Sequence, residues 1–252
     1  MKITEVTVVV CVKNRKDLIR QTLQSIESQD EVDVRLIVKD GKSTDGTVEE
    51  VANYLKNSTI TDYLIVSEPD SSIADAFNQS LRYVGNGNVI FIHSDDTLVS
   101  RQSLKLLCQG IGNHRWGFGF YNFIDAENKL IRSERLKSAI TFARMLVSNQ
   151  VRHQCAIVKG TDLKSIKFNN LTHALDYDFF LNLWRSSPPK VVPAHIANFR
   201  IHDNLSADFD KSLKNEWLAR VNFRIFQGNP LWLVSDSLVF LARYLKLRLR
   251  KF

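Results

Sequence analysis

The strongest constraint on the fold is the regular alternation of short apolar runs and helical patterns over the first hundred residues. Val6–Val12 is a continuous, largely β-branched run, which is typical of a strand buried on both faces. Between residues 18 and 26 the apolar residues recur at helical spacing instead. Strands separated by helices of this length predict right-handed crossovers and a parallel sheet. Further segments predict strands at 34–38, 63–66 and 89–92, and helices at 48–55 and 73–84.

After residue 100 the alternation becomes less regular. The patterns predict strands at 116–124 and 191–201, and helices at 104–107, 141–147, 174–185 and 211–226. We therefore predict an α/β fold in which a mixed, mostly parallel sheet is flanked by helices, with a C-terminal helical extension.

The net charge of +7 is concentrated at the C-terminal end of the chain. Residues 211–252 contain nine Lys and Arg residues and two acids, so residues 1–210 are neutral overall. A neutral core disfavours binding to nucleic acid.

Three features predict a cytoplasmic protein. The cysteines, Cys11, Cys108 and Cys155, have no CxxC spacing, which predicts free thiols in a reducing compartment. The amino-terminal segment is typical of a first strand rather than of a signal peptide. No apolar stretch reaches the roughly 18 residues that a membrane-spanning helix needs.

Polar loops follow each of the four early strands. Because ligands of such sheets bind beyond the carboxyl ends of the strands, these loops predict a binding site at one sheet edge. The loops are Lys13-Asn14-Arg15, the segment 40–46, the segment 68–72 and His93-Ser94-Asp95-Asp96.

Two of these loops carry acids with more than one interpretation. Asp95 and Asp96 suit a hard cation that bridges phosphate oxygens, or they cap the helix that begins near Arg101. Asp40 follows a buried strand, where its carboxylate can accept a base N–H or a ribose hydroxyl. The alternative is a turn-forming Asp before Gly41.

These loops together resemble the family-2 glycosyltransferases of the GT-A fold. The resemblance rests on six segments in the family's order and covers roughly residues 5–207. The pattern SEPD…DA.N in the third segment is most similar to that of transferases of bacterial surface-polysaccharide assembly. The segments are VTVVVCVKNR, LIVKDGKSTDGTVEEV, SEPDSSIADAFNQSL with VIFIHSDDTL, HQCAIVKG, ALDYDFFLNLW and FRIHDNLS.

The resemblance implies a GT-A catalytic domain at 1–207 and a basic amphipathic helical tail at 208–252. Within the domain, residues 1–100 would be the nucleotide-binding half and residues 101–207 the acceptor-side half. The reaction would be an inverting transfer from a nucleoside diphosphate sugar, most often a UDP-sugar, with Mn²⁺ or Mg²⁺ as the divalent metal. The acceptor would be a hydroxyl of a glycan or a polyprenyl-linked glycan.

The resemblance also assigns individual residues to the donor. Asp40 would contact the nucleobase, and the turn with Cys11, Val12 and Asn14 would cradle the base or ribose through its backbone. Glu68 and Asp70 would lie near the nucleotide, and Asp75 with Asn78 would shape the sugar end of the site. Asp95 would contact the ribose and the metal.

Metal binding and catalysis are implied in the same way. Asp95 and Asp96 match the second half of the family's metal motif, and His202 matches a position that approaches the metal or the diphosphate. His93 stands where the motif's first Asp is usual, which puts the metal coordination in doubt. Asp176 matches the catalytic base.

From the residues alone, several alternatives remain open. Asp176 and Asp178 flank Tyr177 in an apolar helix, where the alternative to a catalytic role is one buried capping acid and one solvated acid. His153 either faces the acceptor or is a satisfied strand-end histidine. A catalytically inactive nucleotide-sugar-binding subunit and a sugar nucleotidyltransferase are the rival functions, although no GxGxxG or GxxxxGK[ST] loop occurs.

The tail also has two interpretations. Leu238, Leu241, Leu245 and Phe252 recur at helical spacing beside a basic face, which suits peripheral attachment to the anionic inner face of the cytoplasmic membrane. The alternative is a C-terminal helix packed on the core or on a second copy in a homodimer.

Overall fold

A computed structural model describes residues 4–170, 174–201, 209–226 and 232–249. It contains one nine-stranded sheet, in which eight strands follow the order β3-β2-β1-β4-β8-β6-β9-β5 and β7 pairs with β6. The strands are β1 Thr4–Val12, β2 Val32–Asp40, β3 Asp62–Ser67, β4 Asn88–His93, β5 Thr97–Leu98, β6 Trp116–Ile124, β7 Leu130–Ser133, β8 Ala156–Lys159 and β9 Lys190–Arg200.

The described helices cover both faces of this sheet. They are α1 Lys16–Glu27, α2 Thr47–Leu55, α3 Ile73–Ser80, α4 Ser103–Ile111, α5 Phe142–Val147, α6 Gly160–Leu163, α7 Leu175–Ser186, α8 Phe209–Phe226 and α9 Trp232–Leu249. A single 3₁₀ turn, His153–Cys155, precedes β8.

The amino-terminal half of the sheet is parallel. β1 pairs in parallel with β2 and with β4, and β2 pairs in parallel with β3. Successive residues of β1 point to opposite faces, so Val8 and Val10 pack with α1, α2 and α4, while Val9 and Cys11 pack with α3 and α7. Burial on both faces explains why this strand is an uninterrupted apolar run.

The carboxyl-terminal half of the sheet is mixed. β8 runs antiparallel to both β4 and β6, whereas β6 and β9 are parallel. Gly117 and Gly119 allow this close pairing, because a Cβ at Gly117 would lie 2.4 Å from the Lys190 carbonyl oxygen. The fold class is therefore as predicted, a mixed sheet flanked by helices, and the predicted strand 116–124 is confirmed to the residue.

The two helices of the C-terminal tail differ in their packing. Ala219 and Phe223 of α8 are buried in the same apolar cluster as β6 and α7, and the Phe223 ring lies 5.7 Å from that of Phe142. On α9, by contrast, Leu238, Leu241 and Leu245 are 61%, 50% and 51% exposed. α8 thus packs as part of the core. In the described part of the chain, no helix is both long and apolar enough to cross a membrane.

Candidate functional site

The candidate site lies where the first four strands end. The strand pairing sets Val12 opposite Asp40, Asp40 opposite Ser67, and Cys11 opposite His93, so the loops that follow these strands start at one level. Because β2 and β4 flank β1 on opposite sides, the strand order reverses at β1, and ligands of such sheets bind in the crevice at a switch point of this kind. The sequence prediction that four polar loops share one sheet edge is confirmed.

Hydrogen bonds join the loops after β1 and β2. Asn14, which has a positive φ of 51°, donates its backbone N–H to Ser43 Oγ at 2.8 Å. Its side-chain oxygen accepts from the Thr44 N–H at 2.9 Å, and the Val12 carbonyl accepts from the Gly41 N–H at 2.9 Å. Asn tolerates the left-handed conformation better than most residues, which explains its place in this turn. Cys11 and Val12 are buried beneath it.

The carboxylate of Asp40 is buried and fully engaged with its own loop. It accepts from the backbone N–H of Ser43, from Ser43 Oγ at 2.5 Å and from Ser67 Oγ at 2.6 Å. The turn-forming role considered from the sequence is thus observed. The contact of Asp40 with a nucleobase stays a prediction.

Lys39, next to the last residue of β2, holds the β3 loop in place. Its buried ammonium donates to the Glu68 carbonyl at 2.8 Å and lies 3.6 Å from Asp70 Oδ2. Asp70 in turn lies against Gly41, where a Cβ would meet Asp70 Oδ2 at 2.3 Å. A buried charge needs such a partner, and only glycine leaves room for it here.

The other residues that were predicted to bind the donor substrate stabilise the segment around α3. Glu68 pairs with Arg82. Asp75 accepts from the Ser71 N–H at 2.8 Å and from its hydroxyl, which lowers the pKa of this carboxyl. Asn78 exchanges two hydrogen bonds with the backbone of Phe168, at 2.8 and 3.0 Å. Asn78 therefore connects α3 to the segment around Phe168. Its role at the sugar stays a prediction.

Asp95 and Asp96 occupy very different surroundings. The Asp96 carboxylate is buried, accepting from Gln154 Nε2 at 2.7 Å and from the Arg200 N–H at 3.0 Å. Burial, and then the neighbouring Asp95, raise the pKa of Asp96 to about 7. The Asp95 side chain is 17% exposed and lies 4.0 Å from Arg15 Nε. Neither acid caps a helix, because α4 begins only at Ser103.

This geometry bears on the predicted metal. In the described ranges, no three His, Cys, Asp or Glu side chains are grouped so as to hold an ion. Asp95 nevertheless suits Mg²⁺ or Mn²⁺, since such ions commonly take one or two carboxylates and complete their shell with phosphate oxygens and water. His202 lies outside the described residues.

His93, in the place of the usual first acid, is half-buried beside His153. The two rings meet edge to face with centroids 4.4 Å apart. Burial, and then His153, lower the pKa of His93 to about 4. His93 is therefore neutral at pH 7.

Asp176, at the start of α7, is held by His153. His153 Nδ1 lies 2.8 Å from Asp176 Oδ1, and the His153 backbone N–H donates to Oδ2 at 3.3 Å. Burial raises the pKa of Asp176, but His153 and Arg152 outweigh it, so the net shift is downward. Asp178 is buried and accepts from Asn169. The alternative of one buried and one solvated acid is wrong, because Asp178 is buried and the Asp176 side chain is only 13% exposed.

Two further residues, Gln154 and Arg200, were missed as site residues by sequence reasoning. The buried Arg200 guanidinium donates to the carbonyl of Asp95 at 3.0 Å, to those of Asp125 and Ala126, and to Gln21 and Asn128. A charged residue that ends an apolar strand was the available signal for Arg200, since such a residue needs internal partners. Gln154 had only its place beside His153.

Comparison with known proteins gives a consistent result. The family model described as "Glycosyl transferase family 2" matches residues 7–153. An uncharacterised glycosyltransferase of Haemophilus influenzae is 24% identical over 227 residues, covering 89% of this chain and 90% of that protein. A Campylobacter jejuni GalNAc(5)-diNAcBac-PP-undecaprenol β-1,3-glucosyltransferase is 25% identical over 244 residues, covering 92% and 77%.

Solved structures share the fold. S. aureus TarS in complex with UDP-GlcNAc superposes with a TM-score of 0.71 at 17% identity, covering 94% of this chain and 70% of that one. Glucosyl-3-phosphoglycerate synthase of Mycobacterium tuberculosis, in complex with Mn²⁺ and UDP-glucose, gives 0.58 at 17% identity, covering 87% and 80%. The architecture is the GT-A fold of these glycosyltransferases.

Proposed function

The chain belongs to glycosyl transferase family 2 and is a glycosyltransferase, and we propose that it is an inverting enzyme with a UDP-sugar donor and a glycan hydroxyl as acceptor. The observation that carries this proposal is the juxtaposition, at one sheet edge, of the loops after β1, β2 and β4 with Asp176 from α7. The loops suit a nucleotide, and Asp176 supplies a general base.

The donor would lie in the crevice beside β1. Asp40, at the end of β2, would meet the nucleobase by exchanging one of its serine partners for a base N–H. The backbone turn from Cys11 to Asn14 would support the ribose, and Glu68 and Asp70 would line the nucleotide. Asp75 and Asn78 would stand at the sugar end. The UDP-sugar complexes of structural neighbours support this choice of donor.

Asp95 would hold a divalent cation, and Asp96 would support Asp95 from beneath. When bound, Mn²⁺ or Mg²⁺ would offset the negative charge that develops on the departing diphosphate. Arg15, which lies near Asp95, would add a second positive charge toward the same phosphates. Neutral His93 would accept or donate a hydrogen bond there without opposing the cation.

Asp176 would accept the proton of the acceptor hydroxyl as that oxygen attacks the anomeric carbon. A general base must be ionised, and the lowered pKa of Asp176 keeps it so at neutral pH. A single displacement of this kind inverts the anomeric carbon.

The test is Asp176→Asn, assayed with UDP-glucose and UDP-N-acetylglucosamine in the presence of Mn²⁺. Removal of a general base costs about 10²–10⁴-fold in rate. We expect UDP release to fall at least 100-fold while calorimetry shows unchanged UDP binding. Asp178→Asn, two residues along the same helix, is the matched control. Release within threefold of the wild type in Asp176→Asn would remove Asp176 from this role.

A catalytically inactive nucleotide-sugar-binding subunit is the alternative that His93 favours, because His93 replaces an acid of the metal motif. The same assay separates the two. A subunit of this kind would bind UDP-sugars but release no UDP in the wild type.

The acceptor would be lipid-linked, which places the enzyme at the inner face of the cytoplasmic membrane as a peripheral protein. The Campylobacter relative is named for a PP-undecaprenol substrate. In this chain, Leu238, Leu241 and Leu245 line the outer face of α9 at helical spacing. The opposite face packs on α8, where the Phe240 and Trp217 rings lie 5.9 Å apart.

The basic residues next to the three leucines favour an anionic bilayer as the partner of this leucine face of α9. Arg243 is engaged by Glu216 and by the Val147 carbonyl. The same stretch continues with Lys246, Arg248, Arg250 and Lys251, each worth about 1 kcal/mol near an anionic surface. A homodimer through the leucine face is the alternative.

Vesicle sedimentation tests the membrane proposal. Replacing Leu238, Leu241 and Leu245 together with Ser should weaken binding to phosphatidylglycerol vesicles at least tenfold. Leu130→Ser with Ile131→Ser, which changes exposed apolar residues of β7, is the control and should bind as the wild type. Equal binding by all three proteins, or a dimer–monomer change on leucine replacement, would count against a membrane partner.

A further inference from the structure

The 3₁₀ turn His153–Cys155 connects Asp96 and Asp176, two acids of the site that come from different halves of the chain. His153 contacts Asp176 and Gln154 contacts Asp96, at 2.8 and 2.7 Å. Consecutive side chains of one turn therefore reach the acid on α7 and the acid in the loop after β4.

The turn is firmly attached to the sheet. Cys155 donates its thiol to the Phe120 carbonyl of β6 at 3.3 Å. The next residue begins β8, which is hydrogen-bonded to β4 on one side and to β6 on the other. Because the turn is fixed to the sheet, its side chains hold Asp176 and Asp96 in fixed positions relative to the sheet.

Each contact leaves one polar atom of the turn without a partner among the described residues. His153 Nε2 and Gln154 Oε1 are both buried, and neither has a hydrogen-bond partner within the part of the chain that the structure describes. Buried polar groups usually have partners, so these two atoms are retained at a cost. Apolar side chains of the same size would avoid that cost, but they would not hold the carboxylates.

We propose that the His153–Gln154 pair positions both acids, with His153 orienting Asp176 and Gln154 orienting Asp96. The proposal rests on the proposed function, because it gives these residues a role toward the transfer chemistry. His153 acts through Asp176, and Gln154 acts through the loop that carries Asp95. Both are positioning residues, and neither needs to touch the sugar.

His153 is tested by two variants of different chemistry. His153→Phe keeps the ring but removes the donor, whereas His153→Asn places an amide N–H near the position of Nδ1. With UDP-N-acetylglucosamine or UDP-glucose and Mn²⁺, we expect kcat for UDP release to fall at least 30-fold in the Phe variant. KM for the donor should stay within threefold, and the Asn variant should recover at least a third of the wild-type kcat.

The pH dependence separates positioning from a merely structural role. Arg152 and His153 are the charged or titratable groups that face Asp176, and His93 packs against His153. Without the His153 contact, burial should raise the pKa of Asp176, so activity should be lost at a higher pH on acidification. ¹³C NMR of the Asp176 carboxyl follows the same shift without any turnover.

Gln154 is tested by Gln154→Met, with Gln150→Met as control. Among the described residues, Gln150 bonds to Ser148 and Asn149 of its own loop and to Lys137, away from the acids of the site. We expect Gln154→Met to raise the Mn²⁺ concentration for half-maximal UDP release at least fivefold, and the control to leave it unchanged.

The outcomes distinguish this proposal from the proposed function. If Asp176→Asn is inactive while His153→Phe keeps kcat and the carboxyl titration of the wild type, only the positioning proposal fails. If the wild type releases no UDP, the proposed function fails, and an unshifted carboxyl titration in His153→Phe overturns the positioning role as well. Equal Mn²⁺ dependence in Gln154→Met and the control overturns the Gln154 part.

Discussion

The predicted nucleotide-binding half, residues 1–100, and the predicted acceptor-side half, residues 101–207, build their described parts of the site in different ways. In the first half, each polar loop follows its own parallel strand, and the loops bond mainly to one another, as Asn14 does to Ser43 and Thr44. In the second half, Asp176 and Gln154 come from a helix and a 3₁₀ turn, and they are placed by contacts across the sheet.

This difference shows where each half depends on the rest of the molecule. The nucleotide-binding loops are positioned by strand register, which is a local and repeated feature. The second half is joined to the first by the pairing of β4 with β8 and of β5 with β9. Side-chain contacts add to this, among them Arg200 to the Asp95–Asp96 loop and Gln154 to Asp96. Substitutions within one half should therefore affect either donor binding or transfer, whereas substitutions where the two halves meet should affect both.

The largest effect is expected at Arg200, where the two halves meet. Arg200→Met would remove the buried guanidinium that donates to the carbonyls of Asp95, Asp125 and Ala126. Hydrogen bonds to a charged group contribute about 1.5–3 kcal/mol each, so losing several of them together should cost at least about 3 kcal/mol. We expect urea unfolding to show a loss of that size. Arg101→Met, which removes an exposed pair with Asp30, should cost at most about 1 kcal/mol. Equal losses in the two variants would show that Arg200 does not join the halves.

An intermediate effect is expected within the nucleotide-binding half. Asp95→Asn should lower kcat/KM for UDP release about 100-fold and abolish its stimulation by Mn²⁺, because the carboxylate that we propose as a metal ligand is lost. Melting temperature should change little, since the Asp95 side chain is partly exposed. The control is Asp62→Asn, at the opposite end of β3. Undiminished Mn²⁺ stimulation would exclude Asp95 as a ligand.

The smallest effect is expected at Gly41. A methyl group there would displace the Asp70 carboxylate, which lies where the new Cβ would be. Overpacking of this kind costs about 1–3 kcal/mol, and we expect UDP affinity to fall about tenfold with little change in Asp176-dependent chemistry. Gly87→Ala has open space around its Cβ and serves as control. A kcat loss larger than the loss of affinity would contradict the separation of the two halves.

The sequence was sufficient for the architecture and for the strand-end loops. Apolar runs and helical spacing are short-range patterns, and parallel strands bring their carboxyl ends together without further information. Asp40 and Asp95 could be located for this reason.

The acceptor side could not be derived in the same way. Nothing near Asp176 in the sequence predicts that His153, 23 residues away, holds its carboxylate. The distinction between Asp95 and Asp96 also arises only in three dimensions, because Gln154 and the Arg200 backbone engage one acid of an adjacent pair. Such roles depend on which side chains the sheet brings together.

The three thiols have a consequence of their own. Cys11 lies under the β1 turn, Cys155 lies in the 3₁₀ turn and Cys108 lies on α4; all three are free and buried, and burial raises the pKa of each. A thiol of this kind is alkylated only when its surroundings transiently open. The rate at which each cysteine is labelled therefore reports the local opening equilibrium of a different region. The native chain thus contains built-in probes that can register ligand-induced tightening separately at the β1 turn and at the 3₁₀ turn.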